Sequence, residues 1–125
     1  MYNPHMPDEI DLASAMAAFE AKNFSLAMRL LSPFAETGHA QAQHLVAIMH
    51  QNGLGVVRNE LAAYKWMKAS AEQDYGLAQH GLGFMYMEGE CAPKNPVRAK
   101  GWFQKAADQG LEGSIAMLEY LKQSE

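Results

Sequence analysis

Two histidines, His44 and His80, stand 36 residues apart and are the first side chains in the sequence that could do chemistry. A zinc site needs three or four ligands held ~2.0–2.3 Å from the metal, and no Asp, Glu or Cys lies in phase with this pair. A polar surface lining or a half-buried packing role suits both histidines better. The sequence therefore predicts no metal site.

The single cysteine, Cys91, is the next candidate for chemistry. A nucleophilic thiol requires a base and a third group that orients the base, and the sequence offers no such arrangement. The segment Gly53-Leu54-Gly55 is too short for a phosphate-binding loop and follows a predicted helix instead of a strand. We therefore predict no catalytic residue, no cofactor and no enzyme.

Composition narrows the function classes further. The 125 residues are 49% hydrophobic and 19% charged, which is typical of a soluble globular domain. A net charge of −4 gives nucleic acid no broad electrostatic reason to bind. No apolar stretch is long enough to cross a membrane, residues 1–12 lack the features of a secretory signal, and one cysteine cannot form an internal disulfide. We expect a cytoplasmic protein that contacts neither nucleic acid nor membrane.

An internal repeat indicates which elements must position these side chains. At an offset of 36, residues 42–77 align with 78–113 without a gap, far beyond what chance would produce. The identical pairs are Ala42/Ala78, Gln43/Gln79, His44/His80, Met49/Met85, Gly53/Gly89, Asn59/Asn95, Ala63/Ala99, Trp66/Trp102, Ala71/Ala107 and Gln73/Gln109.

Each unit reads as two helices. The first, called the A helix, is predicted over 40–52 and again over 77–88, and each ends at a glycine that can adopt positive φ, Gly53 or Gly89. The second, called the B helix, begins after an asparagine suited to N-capping. The three candidate caps are Asn23, Asn59 and Asn95.

The B helices are predicted to run to about Gln73 and Gln109. Pro33 lies within the B helix of the first unit, where a proline lacks the N–H that the helix needs. We therefore expect Pro33 to kink or break that helix.

A single helix pair cannot bury both of its faces, so neighbouring units must stack on one another. The predicted fold is all-α, an α/α solenoid of about two and a half antiparallel helix pairs with a C-terminal capping helix. A tail, 1–7, precedes one domain, 8–125. Its parts are the units 8–39, 40–75 and 76–111 and the closing helix 112–123.

The repeat resembles the Sel-one-like repeat (SLR) family, a relative of the tetratricopeptides. The elements that match are Leu82-Gly83, Met85-Tyr86, Gly53, Gly55, Val56, Ala63/Ala99, Trp66/Trp102 and the closing segment 106–110. Ala47, His50, Cys91 and Ala92 depart from the usual residues, and the cysteine pairs of some exported members are missing. The resemblance implies a disulfide-free scaffold or adaptor of bacterial type, and rarely catalysis.

In tetratricopeptide-like stacks the A helices line a concave groove, and the resemblance implies the same here. Residues 40–57 and 77–87 contain no Asp, Glu, Lys or Arg, so this groove is predicted to be apolar and to bind a peptide or helix of a partner protein. Phe84 and Met87 are the predicted central anchors, although Phe84 and Ile48 could equally pack as core. The groove residues are Met16, Phe19, His44, Ile48, Gln51, Asn52, His80, Phe84, Met87, Glu88 and Tyr120.

Two other functions remain open at this point. Family analogy suggests a hydrolase of the β-lactamase type, against which the missing nucleophile and base argue. The third possibility is a homo-oligomerising structural unit that pairs weakly through the closing helix, where Ile115, Met117, Leu118 and Leu121 supply the apolar side chains.

Overall fold

A computed structural model of the chain describes residues 9–124, which leaves the predicted tail outside the described residues. That part of the chain forms seven helices and no strand, so the all-α prediction is confirmed. None of these helices is long and apolar enough to span a membrane. The helices are α1 (Glu9–Glu20), α2 (Phe24–Glu36), α3 (Ala40–Asn52), α4 (Glu60–Ala71), α5 (Gly76–Glu88), α6 (Pro96–Asp108) and α7 (Glu112–Gln123).

The helices pack in chain order. Each one contacts chiefly the helix before it and the helix after it, as a stack of hairpins requires. α1, α3, α5 and α7 hold the A position of successive units, and α2, α4 and α6 hold the B position.

The predicted helix boundaries are confirmed by the caps. The Oδ1 atoms of Asn23, Asn59 and Asn95 accept hydrogen bonds from the third backbone N–H of α2, α4 and α6, at 3.4, 3.0 and 3.1 Å. Gly53 and Gly89 end α3 and α5 with φ of 67° and 70°, a left-handed conformation that glycine adopts without strain. The repeated Asn and Gly therefore mark where each helix begins and ends.

Pro33 corrects one prediction, because α2 neither breaks nor stops there but continues to Glu36. Only the last turn follows the proline, so few backbone hydrogen bonds depend on it. Pro33 and Arg29 are both exposed, so the Arg29 carbonyl that lacks an N–H partner lies on the face turned to water. The helix therefore accommodates this proline without ending.

The core is built from the same repeat positions in every unit. Leu31, Met67 and Phe103, spaced 36 residues apart, are each at most 2% exposed and form the centre of successive B helices. Ala27, Ala63 and Ala99 are completely buried one turn earlier, where small side chains allow close approach of helices. Trp66 and Trp102 are both half-buried against these clusters.

A glutamine relay, in which buried Gln43 and Gln79 each bond to an exposed glutamine of the same unit, links the units and uses the repeated Gln pairs of the sequence. In the second unit, Gln43 donates from Nε2 to the carbonyl of Ala35 at 3.1 Å and accepts from Gln73 at 2.8 Å. The third unit repeats the pattern with Gln79, Ala71 and Gln109 at 3.2 and 2.9 Å. Buried polar side chains are retained in a core only when hydrogen-bonded, and here each amide joins three successive elements.

Candidate functional site

The A helices carry one partly exposed apolar side chain per unit at the same repeat position. Ile48 of α3 and Phe84 of α5 are half-buried, and Tyr120 of α7 is 60% exposed. Leu77, on the first turn of α5, is 48% exposed. We call these four residues the apolar row.

Two side chains of the apolar row, Ile48 and Phe84, also contribute to the core, so both the groove and the core prediction for them have a structural basis. Phe84 packs edge-on against Phe103 and His80, with ring centroids 5.1 and 4.9 Å apart. Ile48 packs against the second core cluster. One edge of each side chain is therefore fixed by the fold, and the other edge faces outward.

The remaining predicted groove residues differ in how free they are. Phe19 packs edge-on against Phe24 of α2 at 5.5 Å, and Met16 packs against the first core cluster, so both are engaged within the first unit. Asn52 is exposed and turns its amide back to the carbonyl of Ile48. The other three are Gln51 and Met87, which are half-buried, and Glu88, which is exposed.

The paired histidines have different partners. The ring of His44 lies against Tyr75, with centroids 5.5 Å apart. Burial lowers the pKa of His44 from 6.5 to about 4, and burial also lowers the pKa of His80. Both imidazoles are therefore neutral at physiological pH, and the A-helix face adds no charge there.

The neutral state of His44 makes stability depend on pH. The unfolded chain takes up a proton on this residue near pH 6.5, whereas the folded chain does so only near pH 4. Stability is therefore lost as the pH falls through this window, by about 3 kcal/mol in total. We expect His44→Gln to lose less stability than the wild type between pH 7 and pH 4, measured by urea unfolding.

The comparison uses the difference between the two proteins, because carboxylates and the other histidines titrate in both. His80→Gln serves as the second variant, since burial lowers its pKa as well. Equal acid destabilisation of His44→Gln and the wild type would contradict the buried, neutral state of His44.

One serine–histidine pair was not anticipated from the sequence. Ser114 Oγ and His80 Nδ1 lie 2.7 Å apart, the distance of a nucleophile and its base. Ser114 is 0% exposed, so no substrate can reach its hydroxyl, and the pair instead joins α5 to α7. The one feature of the sequence that could have indicated this pair is that Ser114 replaces the alanine found at the same repeat position in the two preceding units, Ala42 and Ala78.

The other candidate chemistry does not assemble in the described residues. Burial, followed by the nearby carboxylates of Glu90 and Glu60, raises the pKa of the Cys91 thiol, which disfavours the reactive thiolate. Within residues 9–124 no group of three or more His, Cys, Asp or Glu side chains is placed to hold a metal ion.

Two lysines of the B helices lie over the rings of the repeated tryptophans. Lys65 and Lys105 extend over the rings of Trp66 and Trp102, at 4.7 and 5.7 Å from the ring centroids. These lysines are on α4 and α6, the B helices. Apart from Glu88 at the end of α5, the A helices α3 and α5 present amides, neutral imidazoles and apolar groups, a surface suited to apolar partners.

Solved structures of known proteins share this geometry. A Sel1 repeat protein from Oxalobacter formigenes superimposes with a TM-score of 0.83 at 32% identity, over 87% of this chain and 45% of that one. A protective antigen of uropathogenic Escherichia coli with an SLR fold gives 0.81 at 28% identity, over 89% of this chain and 25% of that one. The chain thus spans less than half the length of either. Among curated proteins, none matches it.

The sequence comparison agrees with the structural one. The family model for the Sel1 repeat matches residues 40–75 and 76–111, more than half of the chain. Proteins of this family are generally interaction modules for other proteins and are typically non-catalytic. The repeated glycine, alanine and tryptophan positions, the helix pairs and these matches lead to one conclusion: the chain belongs to the Sel1 repeat family.

Proposed function

We propose that this protein is an adaptor that binds an apolar helix or extended segment of another protein along its A-helix face. The observation that carries the proposal is the apolar row, Ile48, Leu77, Phe84 and Tyr120, on a face whose segments 40–57 and 77–87 hold no Asp, Glu, Lys or Arg. Charge-free faces with partly exposed aromatic side chains are typical of interaction surfaces. Membership of the Sel1 repeat family supports the same role.

Phe84 and Met87 are the central anchors in this proposal. They lie one helical turn apart on α5, so both side chains can contact the same segment of a partner. The flexible thioether of Met87 adapts to an imperfect fit, whereas Phe84 is held in place by Phe103 and His80. A fixed aromatic ring beside an adaptable side chain is a combination that suits a binding hot spot.

Removal of the anchors is expected to weaken binding by about 2 kcal/mol or more, as for hot-spot residues. Partners are captured with the wild type by affinity purification and mass spectrometry, and their affinity is then measured for Phe84→Ala/Met87→Ala. Because Phe84 also packs on Phe103, Met87→Ala/Tyr120→Ala provides a second variant that keeps this ring contact and removes the half-buried Met87 and the exposed Tyr120.

Val97→Ser is the matched control, since Val97 is 83% exposed on the B helix α6, away from the A-helix face. The control is expected to bind like the wild type. Wild-type affinity in both folded double variants would overturn the proposal.

A further inference from the structure

The loop side of the third unit contains an open cavity of about 400 Å³. It lies between α4, the C-terminal end of α5 and the loop that leads into α6. We call it the loop-side cavity. Its lining residues are Leu61, Tyr64, Tyr86, Cys91, Ala92, Pro93, Asn95 and Arg98.

The polar groups of this cavity supply far more hydrogen-bond donors than acceptors. The phenol oxygens of Tyr64 and Tyr86 are hydrogen-bonded to each other at 2.5 Å, and Arg98 donates from Nη1 to the Tyr86 oxygen at 3.4 Å. The mutual bond uses one phenol proton and leaves the other free. Arg98, which is exposed, adds four further N–H donors to this second proton. The cluster therefore offers a ligand more donors than acceptors.

Charge favours an anionic acceptor. The guanidinium of Arg98 lies over the ring of Tyr86, 5.8 Å from its centroid, and no carboxylate of the described residues lies within 4 Å of it. Arg58, in the loop before α4, contrasts with it, because it pairs with Glu60 at 3.0 Å and Glu90 at 3.4 Å. Those two carboxylates are therefore compensated, and Arg98 is the cation left to a ligand.

The phenol of Tyr64 keeps its proton. Burial, followed by the hydrogen bond to Tyr86, raises the pKa of Tyr64 to about 12, so its proton is retained at physiological pH. The positive charge of Arg98 lowers this pKa and the carboxylate of Glu72 raises it, and both effects are smaller than that of burial. The hydroxyl of Tyr64 is therefore available as a hydrogen-bond donor.

The fold does not require these residues, because the preceding unit lacks them. Thirty-six residues earlier, the positions of Tyr64, Tyr86 and Arg98 hold Met28, His50 and Ala62. Gly55, the counterpart of Cys91, packs directly on the backbone of Phe24. The loop of the third unit has a side chain at this position, and Cys91 lines the cavity.

The walls of the cavity define the rest of the ligand. Leu61 is 82% exposed at one edge, and Ala92 and Pro93 form another. From the donor surplus, the unpaired Arg98 and these apolar walls, we propose that the loop-side cavity binds a carboxylate carried by a compact apolar group. A carboxylate next to a compact apolar group occurs in a small free acid and at the C-terminus of a peptide that ends in an aliphatic residue.

N-acetyl-leucine, N-acetyl-leucinamide and a hexapeptide ending in leucine, with a free or an amidated C-terminus, test this proposal. Binding is followed by the backbone amide NMR shifts of residues 91–98 and by the rate of thiol labelling at Cys91, the only cysteine. The ligands with a free carboxylate are expected to shift these amides and to slow labelling at least threefold, at millimolar concentrations. The amidated ligands are expected to do neither.

Arg98→Gln is expected to weaken binding at least tenfold and Tyr64→Phe to weaken it severalfold, whereas Arg29→Gln, which removes the same charge from α2, leaves binding unchanged. Binding of both free-acid ligands, or of either alone, supports the site and shows whether it accepts a small acid, a peptide C-terminus or both. Equal binding of acid and amide by the wild type, or full binding by folded Arg98→Gln, would overturn it. The acid–amide comparison decides even if a variant does not fold.

Discussion

Replacing Gly55 by alanine is expected to lower the free energy of unfolding by about 3 kcal/mol or more. Gly55 has a φ of +72°, which L-residues adopt only with strain. A Cβ there would also overlap the carbonyl carbon and oxygen of Phe24 and lie 2.8 Å from the backbone nitrogen of Ser25. These are backbone atoms at the start of α2, so no rotamer change can relieve the overlap.

Gly110→Ala separates the two causes. Gly110 also has a positive φ, +86°, but a Cβ there would meet nothing within 4 Å. Gly110→Ala is expected to lower the free energy of unfolding only by the cost of the left-handed backbone conformation, about 1–2 kcal/mol. Chemical denaturation of both variants measures the difference, which is the energetic effect of the close contact between the loop of the second unit and α2. Equal destabilisation of the two variants would show that this contact is not tight.

Gly83→Ala is expected to destabilise the protein by about 2 kcal/mol, although alanine is the better helix former by about 1 kcal/mol. A Cβ at this position would lie 2.7–2.9 Å from three ring carbons of Phe103. Phe103 is completely buried and is held edge-on by Phe84 and His80, so its ring has no space to move.

The preceding unit shows how the overlap is avoided. The corresponding positions hold Ala47 and Met67, a larger residue facing a more flexible one, in the same core cluster. Adding Phe103→Met to Gly83→Ala is therefore expected to recover about 1–2 kcal/mol relative to Gly83→Ala alone, measured by urea unfolding of the two variants.

Gly81→Ala is the control within the same helix. Its added Cβ would meet only the terminal sulfur and methyl of Met67, at 3.0 Å, which can rotate away. We expect it to be close to neutral. A neutral Gly83→Ala, or a double variant no more stable than Gly83→Ala, would mean that the glycine is not needed for the fit of Phe103.

The helices could be predicted from the sequence because the residues that recur are those that start and end helices, and their effect depends only on the local backbone. Asn59 and Asn95 recur since each must accept a backbone hydrogen bond at a helix start, and Gly53 and Gly89 recur since each must adopt positive φ. Pro33 was misjudged because its effect depends on how little helix follows it and on its exposure, neither of which is local.

The candidate site was less predictable for the same reason. Apolar side chains at one repeat position look alike in sequence whether they fill a core or line a surface, so the half-buried state of Ile48 and Phe84 could not be inferred. The pairs Ser114–His80 and Tyr64–Tyr86 join residues of different helices, and only the helix spacing brings them to hydrogen-bond distance. The use of Phe84 and Met87 as anchors remains a prediction.

The glutamine relay has a consequence for how each helical hairpin is aligned on the one before it. A unit shifted by one residue would leave the buried amides of Gln43 or Gln79 without their carbonyl and amide partners, a costly mismatch. The relay thus fixes the register of each hairpin on its predecessor, much as one buried asparagine does in a coiled coil. At α7 the same position is Ile115, which cannot make these bonds. At α7 the bond between Ser114 and His80 takes this place, so the register of the last helix depends on a single side-chain pair.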